Sequence, residues 1–331
     1  MLSVIIISYN EAQYLPEAIN SCLNQTYKDM EIIIGDDGSS DNSIEIIKEY
    51  EKQYDNISHF VMDRSDIISK ETIIPSYRVS NVIKRGISMA KGEYIVILSG
   101  DDYYNDSTVF EKQIEILDSN KEYYSCVSGL RKFWSDRSED CIFKPMNESL
   151  YWSGAYTHIS CFMFRKSIYD DGYFLNRFCD DTGLQYSIIL AGKWNCLNKI
   201  TFSYRQRSSS IMDSSDKTEL ALLELLMLQD IKHKNKLIAS SLARFHKPLV
   251  LCFRERKELD GNKYKKYIDA AAKYDYDIIN TLRTYDDASV IEKANTLITI
   301  MLSYVLFIII QLHEKLSHLP TKKVEAIQLF I

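Results

Sequence analysis

The 331-residue chain lacks the features that define several protein classes. Its seven cysteines are scattered, with no Cys-X-X-Cys pair and no zinc-like Cys/His spacing, so we expect buried free thiols rather than a disulfide or zinc framework. Basic residues do not predominate: 40 Lys+Arg stand against 46 Asp+Glu, and this balance disfavours a dedicated nucleic-acid-binding protein. A hydrophobic content of 46% excludes a disordered or collagen-like chain.

Two common phosphate-binding motifs are also missing near the first apolar run. Neither G-x-G-x-x-G nor G-x-x-x-x-G-K-[ST] follows it, so dinucleotide-binding and P-loop modes of phosphate binding are not supported. The first residues, MLSVIIISYNEA, contain no basic segment, and their apolar run is too short for a secretory signal peptide. We therefore expect this part of the chain to be cytoplasmic.

Apolar runs of strand length alternate with helical patterns in the first 130 residues. Apolar runs without alternation predict strands at residues 2–8, 31–35, 59–62 and 93–98. Helical spacing predicts helices near residues 15–23, 42–54, 78–91 and 107–117, and Asn42 with Glu45 resembles a capping box. This alternation is typical of an α/β fold, a mostly parallel sheet with helices on both faces.

Adjacent carboxylates follow two of the predicted strands. Asp36 and Asp37 follow the second strand, and Asp101 and Asp102 follow the fourth. Ligands of parallel sheets bind at the carboxyl ends of the strands, and crowded carboxylates there require a cation or hydrogen-bond donors. Mg²⁺ and Mn²⁺ suit such oxygens and leave positions for substrate phosphates. The alternative for residues 36–39 is a polar turn in which Asp side chains cap backbone amides.

Two segments, SVIIISYNEAQYLPEAINSCLNQTYKDMEIIIGDDGSSDNS and AKGEYIVILSGDDYY, resemble a known protein family. They are similar to the nucleotide-binding half of the inverting glycosyltransferases of family 2, which have the GT-A fold. The likeness is close over residues 2–130 and looser over residues 150–212. It implies transfer of a sugar from a nucleoside-diphosphate sugar, with UDP the expected nucleotide, to a glycan or lipid-linked glycan acceptor in bacterial cell-surface polysaccharide assembly.

The resemblance also implies a nucleotide-sugar site. Tyr9 matches the aromatic residue that packs on the base, and Asp37 matches the carboxylate that accepts a hydrogen bond from the base N–H. Arg78 matches an arginine that contacts the base or the diphosphate in some members. The full implied set is Ser8, Tyr9, Glu11, Asp37, Arg78 and Asp101.

The implied cofactor is Mn²⁺ or Mg²⁺, with Asp102 and Asp101 as its ligands. Two positions depart from the family pattern. Ser99 stands where many members have another aspartate, which bears on metal preference or ribose contact. Arg207 stands where histidine is common, and it is either a bidentate contact to donor phosphates or a solvated surface residue.

Residues 179–193 are similar to the acidic segment of the family, in which an aspartate opens a helix that ends at a Gly-Lys pair. The match implies that Asp181 is the general base that deprotonates the acceptor hydroxyl, with Asp180 as the fallback. The structural alternative is that both carboxylates merely favour a helix N-terminus through capping and the helix dipole.

The sequence predicts a GT-A domain followed by a helical extension. The expected parts are residues 1–130 as the nucleotide-sugar half and 131–212 as the acceptor half of a domain 1–212, and 213–331 as a helical region. Residues 296–312 are uncharged, and they suit an in-plane helix at the inner leaflet, a buried helix or a membrane span. We expect a peripheral protein at the cytoplasmic face of the plasma membrane.

Two other functions compete with glycosyl transfer. A sugar nucleotidyltransferase would have a glycine-rich, basic loop after the first strand, where this chain has SYNEAQYL. A catalytically silent glycan-binding or scaffold protein could keep the same fold, although retention of the strand-end carboxylates together with Asp181 argues against it.

Overall fold

The computed structural model describes residues 1–63, 75–134, 140–145, 157–170 and 181–207. The strands are β1 (Leu2–Ser8), β2 (Met30–Asp36), β3 (Ile57–Val61), β4 (Tyr94–Ser99), β5 (Tyr103–Tyr104), β6 (Tyr123–Trp134), β7 (Asp140–Phe143), β8 (Phe162–Arg165) and β9 (Lys193–Gln206). The helices are α1 (Leu15–Leu23), α2 (Ser43–Gln53), α3 (Pro75–Met89), α4 (Val109–Ser119), α5 (Ser167–Asp170) and α6 (Asp181–Ala191), with a 3₁₀ turn at Ile159–Cys161. The α/β class predicted from the sequence is confirmed.

The described strands form one mixed sheet in the order β3-β2-β1-β4-β8-β6-β9-β5, with β7 paired to β6. Strands β3, β2, β1 and β4 are parallel, as the sequence predicts. Strand β8 is antiparallel to both β4 and β6, and β9 is parallel to β6. Consequently β9 runs in the same direction as β4, and its carboxyl end reaches the same edge of the sheet.

The core lies around β1 and β4. Consecutive residues Val4, Ile5 and Ile6 are fully buried, and because successive side chains of a strand point to opposite faces, both faces of β1 are covered. Each fully buried aliphatic side chain of this kind contributes about 1.5–3 kcal/mol. Helix α3 packs on β1 and β2, where Gly86 lies against Ile5.

Strand β9 carries a bulge opposite β6. Pairing passes from Val127–Cys196 to Gly129–Ile200, so β9 has two extra residues there. Lys199, one of the residues between these pairs, makes an ion pair with Asp106 just before α4. This pair links the bulge to the loop that leads into α4.

Two local expectations need correction. The capping box at the start of α2 is wrong, because the Asn42 side chain makes no capping hydrogen bond. Asp41 Oδ1 instead accepts a hydrogen bond from Ser43 N at 3.0 Å. Of the cysteines, Cys22, Cys126 and Cys161 are buried free thiols as expected, whereas Cys141 is exposed.

The predicted helical region 213–331, with its uncharged segment 296–312, lies outside the described residues. Within the ranges that the structure describes, no helix has both the length and the hydropathy needed to cross a membrane.

Gly92 precedes β4 at a position where no larger residue fits. A Cβ atom there would lie 2.6 Å from the backbone nitrogen of Ser3 and 2.8 Å from the carbonyl carbon of Leu2. We predict that Gly92→Ala lowers the free energy of unfolding by about 1–3 kcal/mol, because backbone atoms must move to accept the methyl group. Urea denaturation measures this loss, and the neighbouring exposed Lys91→Ala serves as a control expected to change stability by less than about 0.5 kcal/mol. Equal stability of the two variants would contradict the prediction.

Candidate active site

The carboxyl ends of β1, β2 and β4 meet at one rim of the sheet. The backbone nitrogen of Asp37 donates to the Ser8 carbonyl at 2.9 Å, and that of Gly100 donates to the Ile7 carbonyl at 2.8 Å. Hydrogen bonds therefore hold the segments after β2 and β4 on either side of the end of β1. Ser8 itself is fully buried, and its Oγ atom finds no hydrogen-bond partner among the described residues.

Asp36 and Asp37 have different roles at this rim. Asp36 is fully buried, and its two oxygens accept hydrogen bonds from Ser39 N at 2.7 Å and Ser39 Oγ at 2.6 Å. The polar-turn interpretation is thus correct for Asp36. Gly38 supplies the positive φ of 73° that this turn requires.

Asn10 connects the ends of β1 and β2, a role that the sequence analysis missed. It has a φ of 54°, in the left-handed region that Asn tolerates better than most residues. Its Oδ1 atom accepts a hydrogen bond from Ser40 N at 2.8 Å, and its backbone nitrogen donates to Ser39 Oγ at 2.9 Å. The neighbouring Tyr9 is 44% exposed and lies beside the rim.

Asp37 and Arg78 form a bidentate ion pair. Arg78 Nε donates to Asp37 Oδ2 at 2.7 Å, and Arg78 Nη2 donates to Asp37 Oδ1 at 2.6 Å. Both side chains are largely buried, and such fork-to-fork geometry fixes orientation as well as charge. Helix α3 therefore holds the Asp37 carboxylate in one position at the rim.

Glu11, Asp101 and Arg207 form a second charged group. Arg207 Nη2 lies 2.5 Å from Asp101 Oδ2 and 3.3 Å from Glu11 Oε1. Burial, and then the charge of Asp101, raise the pKa of Glu11 well above its usual value, against the opposing effect of Arg207. A Cβ atom at position 100 would lie 2.4 Å from Glu11 Oε2, so Gly100 makes room for this carboxylate.

Asp102 joins the rim to the end of β9. Its Oδ1 atom accepts a hydrogen bond from Arg205 N at 2.8 Å, while its Oδ2 atom is fully buried and has no hydrogen-bond partner among the described residues. Burial, and then the charge of Asp101, raise the pKa of Asp102 well above its usual value. Asp102 thus orients the backbone that leads to Arg207.

Arg205 also connects the end of β9 to the rim. Its Nε atom donates to the Asp101 carbonyl at 2.9 Å, and its guanidinium group forms an ion pair with Glu17 of α1. The guanidinium carbon lies 4.7 Å from the Tyr14 ring centroid, and that of Arg207 lies 5.2 Å from the same centroid. Neither contact is visible in the sequence, because the partners lie far apart along the chain.

The general base implied by the family resemblance lies partly outside the described residues. Helix α6 begins at Asp181, as the sequence predicts, but the Asp181 side chain and Asp180 lie outside the described residues. His158 is buried between the rings of Phe202 and Tyr204, at centroid distances of 5.1 and 4.7 Å. Its position in this aromatic stack indicates a packing role.

The rim suits a divalent cation that shares its coordination with a substrate. Among the described residues, no group of three or more His, Cys, Asp or Glu side chains is placed to hold a metal ion. Mg²⁺ and similar ions, however, are often bound by one or two carboxylates together with substrate phosphates. Asp101 and Asp102 supply hard oxygen atoms of that type, and Asp102 Oδ2 has no hydrogen-bond partner in the described part of the chain.

Comparison with known proteins identifies the family. The chain belongs to glycosyl transferase family 2, whose model matches residues 3–172. The resemblance based on the strand-end motifs is therefore confirmed, and the membership favours a glycosyltransferase over a sugar nucleotidyltransferase.

Individual relatives agree with this assignment. The chain is 30% identical over 230 residues to the glycosyltransferase GlyG of Streptococcus pneumoniae, covering 64% of this chain and 73% of GlyG. Among solved structures, S. aureus TarS 1–349 in complex with UDP-GlcNAc matches with a TM-score of 0.59 and 16% identity, over 92% of this chain and 89% of that one. Mannosyltransferase PcManGT from Pyrobaculum calidifontis, in complex with GDP-Man and Mn²⁺, matches with a TM-score of 0.51 and 13% identity, over 92% and 86% of the two chains. These structural matches support the GT-A-like fold.

The Asp37–Arg78 pair yields a testable coupling. We predict that a double-mutant cycle with Asp37→Asn and Arg78→Gln gives a coupling energy of about 1–3 kcal/mol in urea denaturation, because each single change leaves a buried partner incompletely compensated. The exposed pair of Lys193 and Glu122 provides the control cycle, for which we expect no measurable coupling. Additive effects at Asp37 and Arg78 would show that the bidentate contact is not maintained in solution.

Proposed function

We propose that the chain is a metal-dependent inverting glycosyltransferase that uses a nucleoside-diphosphate sugar, with UDP as the nucleotide. The observation that carries this proposal is the meeting of Asp37, Asp101 and Asp102 at the rim formed by β1, β2 and β4. Ligands of open α/β sheets bind at such a rim. The TarS structure with UDP-GlcNAc supports a UDP-linked donor for this fold.

The nucleotide would lie between Tyr9 and the Asp37–Arg78 pair. The exposed Tyr9 ring offers a surface on which a base can stack. Asp37, held by Arg78, presents a fixed carboxylate that can accept a hydrogen bond from the N–H of a base. Ser8 and Glu11 lie on the β1 side of the same rim and complete the proposed donor site.

Asp102 and Asp101 are the proposed ligands of Mn²⁺ or Mg²⁺. When bound, such an ion neutralises the charge that develops on a departing diphosphate. The PcManGT structure, which contains GDP-Man and Mn²⁺, supports a metal ion in this fold. In this chain Asp102 holds the end of β9 through Arg205, so it would orient the rim in addition to any contact with the ion.

The acceptor hydroxyl requires a base as it attacks the anomeric carbon. We assign this role to Asp181 at the start of α6, with Asp180 as the alternative. The hydroxyl proton moves to the carboxylate while the bond to the diphosphate breaks on the opposite face of the sugar, which inverts the anomeric centre. The proposed acceptor is a glycan or lipid-linked glycan, and the proposed location is the cytoplasmic face of the plasma membrane.

Calorimetric titration of the full chain with UDP, with and without Mn²⁺, tests the donor site. We expect binding that strengthens when Mn²⁺ is present, and turnover of at least one sugar in a panel of UDP-, GDP- and dTDP-sugars. Absence of metal-dependent nucleotide binding would favour the silent scaffold alternative. A preference for GDP or dTDP would correct the assignment of the donor nucleotide and leave the glycosyltransferase proposal intact.

The assignment of Asp181 leads to a separate prediction. Asp181→Asn should lower transfer by at least about 100-fold, because the amide cannot accept the proton, and should leave the Kd for UDP unchanged. Asp170→Asn is the matched control, since Asp170, the last residue of α5, is an exposed partner of Lys166 and lies outside the proposed site. Transfer at the wild-type rate by Asp181→Asn would remove the assignment.

A further inference from the structure

Arg207 occupies the place between two carboxylates where a cation is needed. Its Nη2 atom lies within ion-pair distance of both Asp101 and Glu11, and the side chain is only 23% exposed. Asp101 and Glu11 come from the ends of different strands, β4 and β1, so Arg207 bridges the two sides of the rim. The positive charge of this one side chain offsets part of the repulsion between them.

The contacts of the nearby residue Arg205 with Asp101 and Asp102 hold the backbone that carries Arg207. The Asp102 carboxylate accepts the Arg205 backbone N–H at 2.8 Å, and Arg205 Nε donates to the Asp101 carbonyl at 2.9 Å. Two residues further on, Arg207 lies at the rim, where its guanidinium group also lies against the ring of Tyr14. The Nε atom of Arg207 is buried and has no hydrogen-bond partner among the described residues, so the guanidinium group keeps unused donor capacity.

We infer that Arg207 is an internal counter-ion which competes with the divalent cation for Asp101 and, once displaced, binds the donor diphosphate. This inference rests on the proposed function, since it requires the metal and the diphosphate at the same rim. A cation that binds Asp101 removes the main partner of Arg207, and the diphosphate that arrives with the cation offers the guanidinium group a new anion. Arginine suits this exchange because its planar fork can bind the oxygens of either a carboxylate or a phosphate in a bidentate manner.

Because of this competition, Arg207 should have opposite effects on the affinity for the metal and on the affinity for a nucleoside diphosphate. It should weaken binding of the metal in the absence of nucleotide, because the ion pair with Asp101 must first be broken. It should strengthen binding of a nucleoside diphosphate once the metal is present, because it then pairs with the phosphates. A residue that only stabilised the fold would not produce this combination.

The test measures Mn²⁺ and nucleotide binding separately in the full chain. Free Mn²⁺ is followed by electron paramagnetic resonance without nucleotide, and UDP and UMP binding are measured by calorimetry at saturating Mn²⁺. For Arg207→Gln we expect Mn²⁺ to bind about fivefold or more tightly and UDP to bind about tenfold or more weakly. UMP, which lacks the second phosphate, should lose much less affinity than UDP.

Two further variants keep the comparison interpretable. Arg207→Lys retains the positive charge without the planar fork, so it should fold normally and give intermediate shifts in both affinities. Lys193→Gln removes one positive charge from an exposed pair with Glu122 at the start of β9, and it should match the wild type in both measurements. Circular dichroism and thermal unfolding check that each variant is folded.

The possible results separate this inference from the proposed function. If the wild type binds neither UDP nor Mn²⁺, the proposed function fails and the inference fails with it. If the wild type binds both and folded Arg207→Gln shows unchanged or weaker Mn²⁺ binding, only the inference is overturned. If Mn²⁺ binds more tightly but the affinities for UDP and UMP fall equally or not at all, the diphosphate contact is overturned.

Discussion

The crowding of carboxylates at one rim of the sheet is the constraint on which the candidate site depends. Burial, and then the nearby charge of Asp101, raise the pKa of both Glu11 and Asp102 well above their usual values, so ionisation of these two carboxyl groups is costly. Two arginines at the end of β9 reduce the cost of placing these carboxylates together. Arg205 acts through its backbone N–H and its contact with the Asp101 carbonyl, and Arg207 acts through its ion pairs. The rim therefore needs the last strand of the described sheet as much as the first.

The first half of the fold could be predicted because its signals are local. Strands β1, β2 and β4 are buried on both faces and appear as unbroken apolar runs, and the carboxylates follow them directly. The contacts of β9 could not be predicted, because Arg205 meets Asp102 across 103 positions of sequence. Arg205 and Asp102 meet because β8 lies antiparallel between β4 and β6, so that β6 and β9 run in the same direction as β4. Hydrophobic periodicity does not encode this strand order.

Smaller failures of the sequence prediction also arise because contacts depend on three-dimensional geometry that the sequence pattern does not contain. Asp41 and Asn42 are adjacent residues that both suit the start of α2, and only backbone geometry decides which carboxylate or amide oxygen reaches an N–H group. Asp36 and Asp37 look equivalent in the sequence, yet one stabilises its own turn and the other binds Arg78. The family resemblance suggested a role for Asp37 that the residue pattern alone did not, whereas the ion pairs of Arg207 with Asp101 and Glu11 depend on the three-dimensional fold.

The bulge in β9 has a consequence for how the family can vary. Lys199 and its neighbours already stand outside the regular pairing with β6, so a residue gained or lost there during evolution would be absorbed locally. A residue gained or lost between Phe202 and Arg205, where pairing with β6 is regular, would instead turn the following side chains to the opposite face of the sheet. Insertions and deletions among homologous sequences should therefore be tolerated in the bulge and selected against in the paired residues 202–206 that follow it.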